Sequence, residues 1–177
     1  GYDLELAPER RPGLEQKYPG RSHELVWRLQ PPLDPRGRLD FSALMSPTRW
    51  AVAFAQAELK VDAPGEYQLR LTSTDPLKVW VDGKLVLSLS ELNRSVFDHL
   101  VVPLKLTAGT HRVLVKSAHR EDSWSLLARL VPAPEGPRPQ ADLAMLALSG
   151  RRDANADARR LHHLVEWVDT AAAPPRA

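Results

Sequence analysis

From position 50 the chain alternates bulky and small side chains: Trp50, Val52, Phe54 and Gln56 interleave with Ala51, Ala53, Ala55 and Ala57. A period of two puts successive side chains on opposite faces of a strand, so this segment reads as a strand with one bulky and one small face, packed on both sides. Its alanines keep a helix open as the alternative. After the turn signal Pro64-Gly65, Tyr67, Leu69 and Leu71 alternate with Gln68, Arg70 and Thr72, the pattern of a half-buried strand. The sharpest local signal comes next. Residues 77–81 and 84–87 flank Asp82-Gly83, a dipeptide that accepts positive φ at both central positions of a type I′ hairpin. A two-residue loop sets Val81 opposite Lys84, Trp80 opposite Leu85 and Val79 opposite Val86. Around Ala108-Gly109, Leu100, Val102, Leu104 and Leu106 alternate on one side, and Val113 and Val115 on the other. Trp124, Leu126, Ala128 and Leu130 complete the set.

The flanks follow other patterns. Residues 1–22 hold Pro8, Pro12, Gly13, Pro19 and Gly20 among charges without a sustained period, and are expected to form an irregular lead-in across the body. Residues 23–29 read as a strand ended by Pro31-Pro32, because proline removes a ladder donor and restricts the residue before it. Residues 34–37 read as a turn. The proline-rich residues 134–139 read as a stiff linker, after which helices are expected over 140–148 and 157–169. Ser149-Gly150 would stop the first, and Asp153 or Asn155 would cap the second. Leu161, Leu164, Val165 and Val168 fall at i, i+3, i+4 and i+7, a helical apolar stripe that needs a partner surface. The expected organisation is therefore a lead-in (1–22), a β-sandwich (23–133), a linker (134–139) and a helical tail (140–177). The fold class is mainly β: an antiparallel, jelly-roll-like β-sandwich with a short C-terminal helical hairpin.

Composition narrows the chemistry. The 177 residues are 43% apolar, enough for a packed core, and no run approaches the roughly 18 uninterrupted apolar residues of a membrane-spanning helix. There is no cysteine, which excludes disulfides, thiolate metal sites and cysteine nucleophiles. Lysine plus arginine number 24 against 22 acidic residues, a net charge of +2. Residues 134–177 carry six of each sign, so the excess is spread thinly over the body and does not form a nucleic-acid footprint. Gly1-Tyr2-Asp3 lacks the basic and apolar regions of an export signal, as a mature product or an excised fragment would.

No Gly-x-Ser-x-Gly elbow, phosphate loop, dinucleotide fingerprint or His-Glu-x-x-His helix occurs, so neither catalysis nor a cofactor is expected. His162, His163 and Glu166 are the nearest approach to a metal cluster. His162 and Glu166 would share a helix face at i, i+4, but no third ligand is evident and a solvated face is the expected state. His99, His111 and His119 are expected at surface or loop positions, and Asp98-His99 is a dyad without a nucleophile. Trp80 and Trp124 are expected in the core, although an exposed aromatic on a sheet could stack on a sugar. Any ligand-binding surface is expected in the loops at residues 90–98 and 119–123, at Asn93, Arg94, Arg120 and Asp122, together with Asp75.

Gly65-Glu66-Tyr67-Gln68-Leu69-Arg70-Leu71-Thr72-Ser73, Lys78-Val79-Trp80-Val81-Asp82-Gly83-Lys84-Leu85-Val86 and Leu104-Lys105-Leu106-Thr107-Ala108-Gly109-Thr110-His111 together resemble the protective-antigen domain family. The resemblance implies a β-sandwich of the kind found in toxins, adhesins and glycosidases. In its sugar-binding members paired aspartates before the tryptophan strand hold calcium. Thr74-Asp75-Pro76 stands there in this chain, so one charged ligand is missing and Asp75 reads as a turn residue. Ala7-Pro8-Glu9, Tyr18-Pro19-Gly20, Val26-Trp27-Arg28 and Phe41-Ser42-Ala43-Leu44 are similar to segments of large bacterial secreted proteins that combine tetratricopeptide arrays with a transglutaminase-like domain. That likeness implies a periplasmic or cell-surface setting and a tail, residues 141–173, that enters a helical array. The expected function is a non-catalytic structural or protein-interaction module of a larger bacterial extracytoplasmic protein or assembly, docking through its C-terminal helices. A carbohydrate-binding module, its calcium dependence weakened by Thr74, is the alternative.

Overall fold

The computed structural model of the chain describes residues 1–11, 13–20, 24–29, 38–46, 48–91 and 97–133, together with the backbone of 161–168. The fold is mainly β. A lead of helix α1 (Ala7–Arg10) and strands β1 (Lys17–Pro19), β2 (Glu24–Val26), β3 (Arg28–Leu29) and β4 (Arg38–Asp40) is followed by helix α2 (Phe41–Leu44). Then come β5 (Ala51–Val61), β6 (Gly65–Ser73), β7 (Leu77–Val81), β8 (Lys84–Leu89), β9 (Leu100–Leu106), β10 (Gly109–His119), β11 (Ser125–Pro132) and β12 (Leu161–Val168). A six-stranded sheet runs in the order β3-β12-β5-β10-β7-β8 and a four-stranded sheet in the order β4-β11-β6-β9, while β1 and β2 form a two-stranded sheet among the described residues. Every pair is antiparallel.

The alternation at β5 works as its sequence suggests, on both faces. Ala53 and Ala55 stand opposite Ser117 and Val115 of β10, on the face that meets Trp124 at the entry to β11. The small side chains leave room there for an indole and for the side chains of the second sheet, so both sheets feed one core of Leu69, Leu71, Leu77, Val79, Val113, Val115, Leu126 and Leu130. Phe54, opposite Lys116, turns the other way and is fully buried under the N-terminal segment. The lead-in thus lies across the body as expected, but with more structure than expected: α1 is closed by Glu9, which accepts from the Leu6 N–H at 3.0 Å, and β1 zips onto β2. The strand expected over 23–29 is split between β2 and β3 at Trp27, whose indole N–H reaches the Tyr18 hydroxyl at 3.4 Å.

The Asp82-Gly83 hairpin forms with positive φ at both residues (50° and 81°). Val81 faces Lys84 and Trp80 faces Leu85, but a bulge follows and Val79 faces Leu87 rather than Val86. One extra residue on β8 bends and twists the strand at the edge of the sheet.

The main correction concerns the tail. The stripe Leu161, Leu164, Val165 and Val168 does not lie on a helix, since the segment is strand β12, inserted between β3 and β5. Leu161 pairs with Ala57, His162 with Gln56, His163 with Ala55 and, past a bulge, Glu166 with Ala53. The physical reason lies outside the segment: β5 is eleven residues long and would otherwise present a full row of unsatisfied backbone donors and acceptors on that side. Leu, Val and Trp serve a strand as readily as a helix, so the long-range ladder prevails over the local period. The helix expected over 140–148 and the linker at 134–139 lie outside the described residues.

Candidate functional site

One end of the two-sheet body gathers the β6–β7 turn, the β10–β11 loop and the connection into β9. Ala51 at the start of β5 pairs with His119 at the end of β10, and Ser73 at the end of β6 pairs with Leu126 near the start of β11. The β6–β7 turn touches the β10–β11 loop where the Thr74 hydroxyl, whose one proton is shared with the Asp75 carboxylate, lies 3.3 Å from the Ser123 carbonyl. The connection leading into β9 joins them, the Asp98 N–H donating to Thr72 Oγ1 at 2.8 Å. Asp75, Arg120 and Asp122, distant in sequence, therefore belong to one end of the fold. Asn93 and Arg94 lie outside the described residues.

Beneath this end is a buried polar stack. Asp75 is not at the surface: Oδ1 is 2.7 Å from His119 Nδ1, Oδ2 accepts from the Thr74 hydroxyl at 3.1 Å, and the Asp75 N–H donates to Ser73 Oγ at 3.1 Å. His119, expected at the surface, is buried instead, because its odd position in β10 turns it toward the core. Its ring stacks on Trp124 at 4.8 Å with a 5° interplanar angle, and the indole N–H of Trp124 donates to Ser117 Oγ at 2.8 Å. Calcium wants about six to eight oxygen ligands, and this buried turn offers a single carboxylate, Asp75, hydrogen-bonded through both oxygens to His119 and Thr74. The residues at this turn do not fit that ion.

Backbone geometry marks the same end. Four non-glycine residues among those described have positive φ, and apart from Asp82 in its hairpin they are Trp50 (54°), Asp98 (55°) and Asp122 (77°), all at this end. For a residue as bulky as tryptophan this conformation is an outlier, costing about 1–3 kcal/mol. An extended Trp50 would continue the outward row of Val52 and Phe54. At this φ Trp50 is half-buried, with its backbone N–H donating to the Arg120 carbonyl at 3.1 Å and the Arg120 guanidinium 6.0 Å from its ring centroid. Period-two alternation alone predicts Trp50 on the bulky, packed face of β5, because φ leaves no trace in the pattern.

Asp98 is committed elsewhere than to His99. Arg129 grips its carboxylate through Nε at 3.0 Å and through Nη2, Arg70 approaches at 3.6 Å, and Phe97 lies 4.9 Å below the Arg129 guanidinium. Arg70 is further held by Gln68 Oε1 at 2.7 and 3.1 Å. This cluster pins the entry of β9 to the outer face of the four-stranded sheet. His162 and Glu166, placed on β12, pair with Gln56 and Ala53, three strand residues or about 10 Å apart, rather than one helical turn, so the helical ligand spacing does not exist. Among the described residues no group of three metal-ligating side chains converges, and no helix is long and apolar enough to cross a membrane.

At the opposite end His111 forms a clasp. Nδ1 is 2.6 Å from Asp82 Oδ2 and Nε2 donates to the Thr107 carbonyl at 2.9 Å, while Asp82 Oδ1 accepts the Arg112 N–H at 2.8 Å. The hydrogen bond to Asp82, then that to Thr107, raise the His111 pKa above its ordinary 6.5. Burial by itself would raise the Asp82 carboxyl, but the bonds from His111 and Arg112 outweigh it and hold the group below 3.8. A raised histidine pKa contributes stability that is complete below about pH 6.5 and is lost as pH climbs through the folded value. The depressed aspartate bounds the window from below, its share being lost as pH falls through a value under 3.8. His111→Asn is thus expected to destabilise the protein by about 1 kcal/mol or less, since half-exposed Asp82 is screened. Urea unfolding should show the deficit at pH 5.5 and a smaller one at pH 9. An equal deficit at both values would mean that the clasp carries no charge.

No family model matches the chain, and no curated protein matches it. Two solved structures share partial similarity. A β-glucosidase from Kluyveromyces marxianus in complex with glucose is 12% identical with a TM-score of 0.41, over 48% of this chain and 10% of that one. A GH31 α-xylosidase from Xanthomonas citri is 30% identical with a TM-score of 0.34, over 50% of this chain and 9% of that one. The match thus spans about a tenth of the length of each enzyme.

Proposed function

We propose that this chain is a non-catalytic recognition module, a jelly-roll-like β-sandwich of the protective-antigen-like kind that serves a larger extracytoplasmic protein by presenting its loop-bearing end to a carbohydrate. The observation that carries the reading is the convergence at that end of Trp50, the β6–β7 turn and the Arg120–Ser123 loop above a locked Asp75–His119 base. A rigid body with side chains on loops at one end is the usual layout of a binding module. The described acid–histidine pairs support the non-catalytic part: Asp75–His119 is buried beneath Trp124, and Asp82–His111 clasps two turns. Because Asp75 is bound to His119, recognition is calcium-independent. A glycan array probed with and without EDTA is expected to give the same hits in both conditions. Hits that vanish in EDTA would overturn calcium independence, and an array blank in both would remove the carbohydrate reading.

The second reading, a protein-interaction module, loses the helical docking face at Leu161, Leu164, Val165 and Val168 but gains an edge. Edge strands β3 and β4 have two and three residues, and β9 carries Pro103 and Lys105. Strand β8 has six residues with no proline and a single charge, Lys84, beside the turn, and Leu85 is 48% exposed. Such an edge can accept an extended partner strand.

A further inference from the structure

We infer that Asp82-Gly83 is a latent isomerisation site, at which the aspartyl bond rearranges to isoaspartate, and that the clasp of His111 and Arg112 on the Asp82 carboxylate holds the reaction in check. The chain has one Asp-Gly bond and no Asn-Gly bond. In such a dipeptide the glycine nitrogen attacks Cγ of the aspartate to form a five-membered succinimide, and one carboxyl oxygen departs as water. Water then reopens the ring, and opening at the former main-chain carbonyl leaves the backbone running through Cβ. Glycine favours the attack because it puts no side chain beside the attacking nitrogen. Here no atom beyond the chain neighbours lies within 4 Å of where a Cβ of Gly83 would stand. The Asp82 side chain is 51% exposed, so water reaches the bond.

Three contacts oppose the reaction. Oδ2 is 2.6 Å from His111 Nδ1, Oδ1 accepts the Arg112 N–H at 2.8 Å, and the Asp82 N–H donates to the Arg112 carbonyl at 2.9 Å. Ring closure expels one of the two oxygens, so it breaks at least one of the first two bonds whichever oxygen leaves. Donors on both oxygens also favour the carboxylate over the carboxylic acid, and it is the acid that sheds water readily. His111 is anchored in turn by Nε2 to the Thr107 carbonyl at 2.9 Å, so this donor does not simply follow a carboxyl group that swings toward Gly83. Isoaspartate would add an atom to the backbone of a two-residue turn and displace the carboxylate, disturbing the Val81–Lys84 pair that closes the hairpin. The clasp therefore guards the β8 edge chemically, whatever the loop-bearing end binds.

The test ages the full chain at neutral pH and body temperature. Isoaspartate at position 82 is followed by peptide mapping with a protease that cleaves before aspartate but not before isoaspartate, and a synthetic peptide of residues 77–89 gives the unprotected rate. The native chain is expected to isomerise about tenfold more slowly than the peptide, and His111→Ala about threefold to fivefold faster than the native chain. Asp40→Ala removes the cap of α2 at the other end of the body, beside the start of β11, and so controls for a general loss of stability. Its rate is expected to match the native one. A native chain that isomerises as fast as the peptide overturns the protection. A His111→Ala chain no faster than the native one overturns the role of the clasp, and so does an Asp40→Ala chain accelerated as much as His111→Ala.

Discussion

Replacing Lys116 with alanine is expected to destabilise the protein by about 3–5 kcal/mol and to free its N-terminal segment. Lys116 lies in the middle of β10 with 0% exposure, and its ammonium donates to the carbonyls of Tyr2 (3.1 Å) and Leu4 and to Glu9 Oε1 (2.7 Å). An ammonium has three protons, and all three are used. Desolvation lowers the Lys116 pKa and Lys78 adds to that, while Glu9 and Asp3 oppose it. The cation is therefore costly where it sits, and its value is positional: it holds residues 2–9 over Phe54. Removing it leaves a Glu9 carboxylate with only 8% side-chain exposure and no countercharge at that place, and uncovers apolar surface on β5. Lys116→Met/Glu9→Gln is expected to recover about 1–2 kcal/mol over Lys116→Ala, because no charge stays buried and the thioether fills part of the space. Urea unfolding gives the energies, and trypsin cleavage after Arg10 reports release of the segment. A Lys116→Ala protein that keeps both its urea midpoint and its protease resistance would show that the segment is held by packing alone.

That network was illegible in the sequence, and the reason is general to two-sheet folds. Lys116 alternates with Val113, Val115 and Ser117 in a pattern that reads as core on one side and solvent on the other. Only the placement of an aperiodic segment more than a hundred residues earlier makes the second side an interior. What period-two patterning and turn chemistry can express was legible: the strands around Pro64-Gly65, Asp82-Gly83 and Ala108-Gly109, and the two buried faces of β5. The Asp82-Gly83 turn fixed the first two pairs of its hairpin, but a bulge is a compromise with the whole sheet, so the third pair slipped. Leu161 to Val168 failed for a similar reason. Its local period favoured a helix, and the open side of β5 decided otherwise. At the candidate site the side chains were not legible. Asp75 lies inside because His119, forty-four residues away, is its partner, and Trp50 is only half-buried, at a positive φ that no periodicity encodes.

Trp124→Ala is expected to be the most damaging single truncation, at about 3–5 kcal/mol or more, with the fold itself at risk in a domain whose total stability is of order 5–15 kcal/mol. Trp124 is fully buried and joins both sheets. Its indole meets His119 face to face at 4.8 Å, tilts against Phe41 at 5.0 Å and donates to Ser117 Oγ, while its backbone carbonyl accepts the Phe41 and Ser42 N–H groups at 2.9 and 3.3 Å. Those last contacts, with Asp40 accepting from Ser42 and Ala43, set α2 against the start of β11. Alanine would leave the space beside Ala53 and Ser117 unfilled, and neither strand can close in without breaking an eleven-pair ladder. The milder Trp124→Phe keeps a ring but removes the donor to Ser117, and should cost about 1–3 kcal/mol. If the stack also fixes His119 against Asp75, as its geometry implies, Asp75→Ala measured in the Trp124→Phe background should cost less than in the native protein, with a coupling of about 0.5 kcal/mol or more. Strict additivity in that cycle would mean that the indole and the Asp75–His119 pair stabilise the loop-bearing end independently. Binding there would then tolerate changes at Trp124 for as long as the chain remains folded.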